Sequence, residues 1–333
     1  MKVYRDCSGI TYTFQNENIQ ITGNPLPRDV NNQTISQITM FPDWGRYNFL
    51  NGGDISPECN SFLNSIDCAN NDIGAYQEFT YRSAPMYLQG TPPVGGWHFS
   101  FQPACCRSGR ISNIDPAGSM HLRAVLYADS SQASSTQCIS SSAQFAEVPS
   151  YFFCRGVEAD LNFWALDSDL DSVSFHLDHP ISSSTLSSQP YFSGYSSINP
   201  TPDQSFDSLN KPFKINALNG QMSFKVNNGT GIESYTIVVR VDSWKNNMIS
   251  SSIYREVPLS IFDCLPDTNG LVNKKPSVVN PFQNSSRIVF NDTFQAGSFI
   301  SFPLLAIDSS VSDQLVTTSF FGSHFSRDYT DSL

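Results

Sequence analysis

Three aspartates at alternate positions, Asp167, Asp169 and Asp171, form the densest acidic cluster of the chain. Carboxylates at i, i+2 and i+4 repel one another unless a cation is shared between them, and an all-oxygen set suits a hard ion, calcium before others. An EF-hand loop counted from Asp167 needs Gly at its sixth position and Glu at its twelfth; Ser172 and Asp178 stand there, so that loop is excluded. Val173, Phe175 and Leu177 follow on one face of a period-2 segment. The stretch 165–177 therefore predicts a carboxylate loop feeding a half-buried strand, with Asp167, Asp169 and Asp171 as ligands of a structural calcium ion.

Sulfur is the second chemistry. The eight cysteines are Cys7, Cys59, Cys68, Cys105, Cys106, Cys138, Cys154 and Cys264, with no C-x-x-C pair and no histidines at ligand spacing. That pattern reads as disulfides rather than zinc, hence an oxidising compartment and an exported chain. Connectivity stays open from spacing; a short bridge between Cys59 and Cys68 is the simplest expectation. Cys105 and Cys106 would point apart on a strand, so each is expected to take a distant partner.

Other chemistry is set aside. No G-x-S-x-G elbow, H-E-x-x-H helix or Cys–His nucleophile context is present, and no catalytic residue is assigned. His176 and His179 fall on opposite sides of a strand, which does not suit a shared metal; His98 and His121 alternate with apolar neighbours as surface or partly buried residues. Paired glycosidase carboxylates are not marked out beyond the aspartate loop. Trp44, Tyr47 and Phe49, or Tyr191, Phe192 and Tyr195, could form a carbohydrate platform, although core packing is the better use of such rings. A net charge of −11 and a pI near 4.7 disfavour nucleic acid as partner. No segment approaches the roughly 20 apolar residues that span a bilayer.

The elements that must position these groups are strands. At 15% charged and 13% aromatic, rich in Ser, Asn, Thr, Pro and Gly, the 333 residues predict an all-β protein of tandem immunoglobulin-like (cadherin/PKD-like) β-sandwich modules, stapled by disulfides. Strands are expected at 1–5, 10–14, 34–40, 76–88, 96–102, 121–128, 213–215 and 222–226. A hairpin is expected from Tyr235, Ile237, Val239 and Val241 through Lys245-Asn246-Asn247 to a return at 255–262. The predicted division is a Cys-rich β domain at 1–150, a sandwich with the aspartate loop at 151–265, a linker at 266–281 and the start of a further module at 282–333. Ala306-Ile307-Asp308-Ser309 echoes Ala165-Leu166-Asp167-Ser168, a tandem-module sign. MKVYRDC has no apolar signal-peptide core, and the last module is too short to close, so a piece of a longer exported protein is expected.

The opening Val3-Tyr4-Arg5-Asp6-Cys7, the block GGWHFSFQPACCRSGRISN at 95–113 and the Ala-x-Asp-x-Asp-x-Asp-Ser loop occur in that order. With Gly194-Tyr195-Ser196, Tyr254-Arg255 and Phe262-Asp263-Cys264, they give a chain that resembles the large secreted cell-surface proteins of Bacteroidetes linked to gliding motility and type IX secretion. The matches cover most of 1–265, with Ser108 and Leu170 where the family tends to have Asn and Gly. In that family the Y-R-D-C strand follows an earlier one, so the resemblance implies a missing first strand. It also implies a non-enzymatic, surface-exposed structural or adhesive role, an adhesin or filament stalk.

The sequence thus predicts an extracellular scaffold stiffened by calcium, whose partners are calcium, neighbouring modules or further copies, and surface polysaccharide. The alternative is a carbohydrate-binding accessory region of a secreted polysaccharide-degrading enzyme.

Overall fold

A computed structural model describes residues 1–9, 12–43, 53–55, 68–70, 75–103, 107, 110–115, 120–128, 141–146, 152–169, 171–182, 187–264, 277–278, 295 and 305–307. Apart from one 3-10 turn at Cys68–Asn70, the regular structure of these residues is strand. In chain order the first eight strands are β1 (Lys2–Asp6), β2 (Glu17–Thr22), β3 (Gln37–Pro42), β4 (Gly53–Asp54), β5 (Tyr76–Arg82), β6 (Trp97–Phe101), β7 (Leu122–Leu126) and β8 (Gln144–Phe145). They are followed by β9 (Phe152–Cys154), β10 (Ala159–Asn162), β11 (Ala165–Leu166), β12 (Ser172–Asp178), β13 (Lys211–Ile215), β14 (Gln221–Lys225), β15 (Glu233–Lys245) and β16 (Met248–Phe262). The all-β class is as the composition predicts.

The main sheet runs β1-β5-β3-β2-β6-β7-β16-β15-β12, with β4 added on β5 and β9 parallel to β16. It takes strands from both sides of residue 150, joined where β7 pairs with β16. Met1–Glu58 and Ile66–Asp263 belong to one compact unit, Cys264–Phe321 to a second. In the second unit Ser277–Val278 pairs antiparallel with Ala306–Ile307, so the repeated Ala306 lies on a strand as Ala165 does. Asp308 lies outside the described residues, as do Trp44, Tyr47, Phe49, Leu170, Cys59, Cys105, Cys106 and Cys138.

The hairpin β15–β16 is the longest pairing. Tyr235, Ile237, Val239 and Val241 are all buried and share a face, as their period-2 spacing requires. The turn is two residues, Asn246 and Asn247, at φ 50° and 61°, the left-handed geometry that Asn tolerates and that matches strand twist. The return strand starts at Met248 rather than 255, a correction. Its serine run pairs along β15, where Ser252 Oγ donates to the buried Asp242 Oδ1 at 2.5 Å and Ser250 Oγ to Ser243 O at 3.2 Å, so hydroxyls bonded within the sheet stand where an apolar alternation was expected.

Two apolar clusters hold the first unit. One gathers Val3, Ile21, Phe79, Tyr81, Trp97 and Phe101 from β1, β2, β5 and β6. The other places Met222 and Phe224 of the small β10-β14-β13 sheet with Phe175, Ile237 and Val239 of the main sheet, two layers over one core. Gly220 serves that core: at φ +71° it turns the chain from β13 into β14, and a Cβ there would stand 2.7 Å from Phe175 Cε1.

Two further expectations are corrected. The strand expected at 10–14 is not one at Tyr12–Phe14; those rings instead meet Phe79 edge-on, at 4.9 and 5.3 Å, while the strand forms at β2, where Ile19 and Ile21 alternate with polar residues. Cys68 bonds Cys7, not Cys59. The antiparallel β1–β5 register, continued by the Cys7 N–H donating to Ala75 O at 2.9 Å, brings Cys7 back to within 5.1 Å (Cα–Cα) of Cys68. Cys154 and Cys264 are also disulfide-bonded.

Candidate metal centre

Residues 167–171 connect β11 to β12, and both flanking strands are anchored. β11 pairs with β8 through Ala165 opposite Phe145 and Leu166 opposite Gln144. β12 pairs with β15 along seven residues, with Phe175 buried opposite Val241. Between these anchors the three aspartates bring one carboxylate oxygen each to within 4.8 Å of one another.

The three differ in depth. Asp167 is buried, only 4% exposed, Asp171 is half-buried and Asp169 is exposed. The Asp169 N–H donates to Asp167 Oδ1 at 2.9 Å, which fixes the turn locally. From across the β8–β11 pair, the Ser141 N–H donates to Asp169 Oδ2. Asp167 Oδ2 is fully buried and accepts no hydrogen bond among the described residues.

Such an oxygen is costly. Two unit charges about 5 Å apart repel by ~1 kcal/mol in water and ~3 kcal/mol at the effective dielectric of a partly buried site, and an unpartnered buried acceptor costs a further ~1–3 kcal/mol. A shared divalent cation removes both penalties. The donor set is oxygen only, without the sulfur or nitrogen that zinc prefers, and so fits calcium or a similar hard ion. The structure brings together all three residues the sequence selected, and adds the Ser141 tether, for which the sequence carried no signal.

The other nominated groups disperse. His176 and His179 have different partners, Asp242 with Ser174 for one and Ser197 for the other. Ser174, His176 and Asp242 have the composition of a nucleophilic triad but not its geometry. The same Nε2 of His176 faces Ser174 Oγ (3.0 Å) and Asp242 Oδ2 (3.5 Å), whereas a relay needs the two on opposite nitrogens. Trp244 Nε1 donates to that serine oxygen at 2.8 Å. Of the proposed aromatic platform, Tyr195 packs on Phe206 and Tyr235 at 5.0 and 6.0 Å, while Phe192 stays exposed.

A second polar centre, missed in the sequence, lies at Arg107. Its Nε and Nη2 reach the two Glu256 oxygens at 2.5 and 3.1 Å, and Nη2 also donates to Ile181 O at 2.9 Å. Both side chains are buried, 1% and 7% exposed. Burial pushes the Glu256 carboxyl up, against the pull of Arg107. His121, beside them, is buried with neither ring nitrogen hydrogen-bonded among the described residues; desolvation and then the Arg107 charge hold its pKa below the ordinary histidine value.

No family model, no curated protein and no solved structure matches the chain. Among the described residues no helix is long and apolar enough to cross a membrane.

Proposed function

We propose that this chain is a non-enzymatic structural region of an extracellular protein, a cell-surface adhesin or stalk of the gliding-motility type, in which calcium at Asp167, Asp169 and Asp171 fastens the loop between β11 and β12. The observation that carries the cation is the buried Asp167 Oδ2, unpartnered among the described residues, within a triple-carboxylate cluster. The site has a mechanical consequence. Asp169 is held by the Ser141 N–H before β8 and Asp167 follows β11, so one ion would clamp both strands of that short pair to the start of β12. Disulfide-bonded cysteines support an oxidising setting, and strands tied by disulfides suit a load-bearing role. Calcium and adjoining modules or copies are the partners of this reading.

The test is thermal unfolding of the full chain in calcium and in excess chelator. An ion bound only by the folded state adds about 2.7 kcal/mol at 100-fold over its Kd, on the order of 5–10 °C for a unit of this size. Asp169→Ala should abolish the difference. Superimposable curves with and without chelator would remove the cation from the proposal.

A further inference from the structure

Asn228-Gly229 lies in the turn between β14 and β15, where no Cβ shields the backbone nitrogen that follows the Asn side chain. Three side chains converge on this dipeptide. Arg155, its side chain 8% exposed, donates from Nη1 to Asn228 O and from Nη2 to Gly231 O at 2.9 Å. Asn228 O is the carbonyl of the same peptide unit as the Gly229 N–H, so a cation there stabilises the charge left when that nitrogen gives up its proton. Gly229 is exposed, and its N–H has no hydrogen-bond partner among the described residues.

A base stands beside that nitrogen. A Cβ on Gly229, which sits at φ +91°, would overlap both oxygens of Glu233, the farther at 2.7 Å, so glycine alone lets this carboxylate lie against the peptide. Arg155 Nη1 and Tyr235 Oη–H donate to Glu233 Oε2 at 3.4 and 2.9 Å, while Oε1 accepts no hydrogen bond among the described residues. The electrophile is held too. Asn210, 1% exposed, accepts from the Asn227 N–H at 2.6 Å and donates to Asp203 O at 2.9 Å and to Asn228 Oδ1 at 2.8 Å. Its amide is thereby fixed with one N–H on the side-chain carbonyl, a preorganised donor for charge that develops on Oδ1 when Cγ is attacked.

We infer that Asn228 is a self-modification site: the Gly229 nitrogen attacks Asn228 Cγ, closes a succinimide and expels ammonia, and water then opens the ring to aspartate or isoaspartate. As the N–Cγ bond forms, the amide proton passes to Glu233. As the tetrahedral intermediate collapses, the Cγ–Nδ2 bond breaks and that proton leaves on the ammonia. One water is consumed, one ammonia is released and nothing is oxidised. Asn219-Gly220 shares the dipeptide but not the setting. The Gly220 N–H donates to Asn216 O at 2.9 Å, Asn219 Oδ1 accepts from the Gln221 N–H at 3.0 Å, and a Cβ on Gly220 meets the Phe175 ring rather than a carboxylate. Asn51-Gly52 and Asn269-Gly270 lie outside the described residues. The inference does not rest on the cation site.

The test is peptide mass spectrometry of the full chain aged at neutral pH, folded and in urea, with isoaspartate methyltransferase labelling of the peptides. The Asn228 peptide should gain the one dalton that separates OH from NH2, and should do so faster in the folded chain than in urea. Asn219 should show the reverse order. Glu233→Gln keeps the volume and should slow conversion of Asn228 in the folded chain by about tenfold or more. It should also make the rate rise with pH, as it does when hydroxide replaces a fixed base; a purely structural Glu233 would not move that profile. Should the variant fail to fold, the folded-to-urea ratio of the parent decides alone. An unconverted Asn228, a folded rate at or below the urea rate, or a folded Glu233→Gln chain that converts at the parent rate would each overturn the inference.

Discussion

Replacing Glu256 by Gln keeps its volume and removes its charge, leaving Arg107 as a cation that is 1% exposed. Breaking a buried pair from one side costs about 3–5 kcal/mol, because the surviving charge has lost its compensation without regaining water. Arg107→Met alone should cost a similar amount, since it strands Glu256. The double substitution Arg107→Met with Glu256→Leu removes both charges, and two apolar side chains then fill the same space. Among the described residues, what remains lost is the Arg107 bond to Ile181 O, worth about 1 kcal/mol. Even that carbonyl keeps a donor, the His121 N–H at 3.2 Å. The double variant should therefore lie within about 1–2 kcal/mol of the parent, far from the roughly 6–10 kcal/mol that adding the singles gives. Urea unfolding of the four proteins, followed by tryptophan fluorescence, supplies the cycle. Additive losses, or a Glu256→Gln cost below about 1 kcal/mol, would refute the claim that the pair is desolvated and coupled.

Two further outcomes are expected. His121 is held neutral in the folded chain but takes up a proton in the unfolded chain below about pH 6.5, so stability present at neutral pH should fall as the pH drops through that value. His121→Gln should flatten part of the fall in urea midpoint between pH 7.5 and 5.5, and an identical fall would show that His121 is not its source. Asn113 is fully buried and accepts from the Thr236 N–H while donating to Thr236 O and Pro200 O, at 2.8–2.9 Å. Asn113→Ala strands three backbone groups and should cost about 3 kcal/mol or more by the same assay; a loss below 1 kcal/mol would mean that water replaces the amide.

What the sequence made legible was local. The aspartate cluster could be found because its carboxylates sit two residues apart, and the β15–β16 hairpin because Tyr235, Ile237, Val239 and Val241 alternate ahead of an Asn-Asn turn. The strand β2 escaped notice because only Ile19 and Ile21 mark it among polar neighbours. Pairing at a distance escaped too. Cys7 meets Cys68 across 61 residues through the β1–β5 register, and the sequence offered the nearer Cys59 at no visible penalty. Arg107 and Glu256 lie 149 residues apart, so their convergence is a property of sheet topology with no trace in spacing. His121 read as a surface or partly buried residue because a histidine among apolar neighbours carries no mark of whether its nitrogens find partners.

The cation claim is tested most directly by titrating calcium into the chelator-stripped full chain in a calorimeter, beside Asp167→Asn and Asp169→Asn. One saturable site per chain is expected in the parent, with none in either variant, because Asp167 supplies the buried oxygen and Asp169 the tethered one. Heat no larger than dilution in the parent, or the same site persisting in Asp167→Asn, would contradict it.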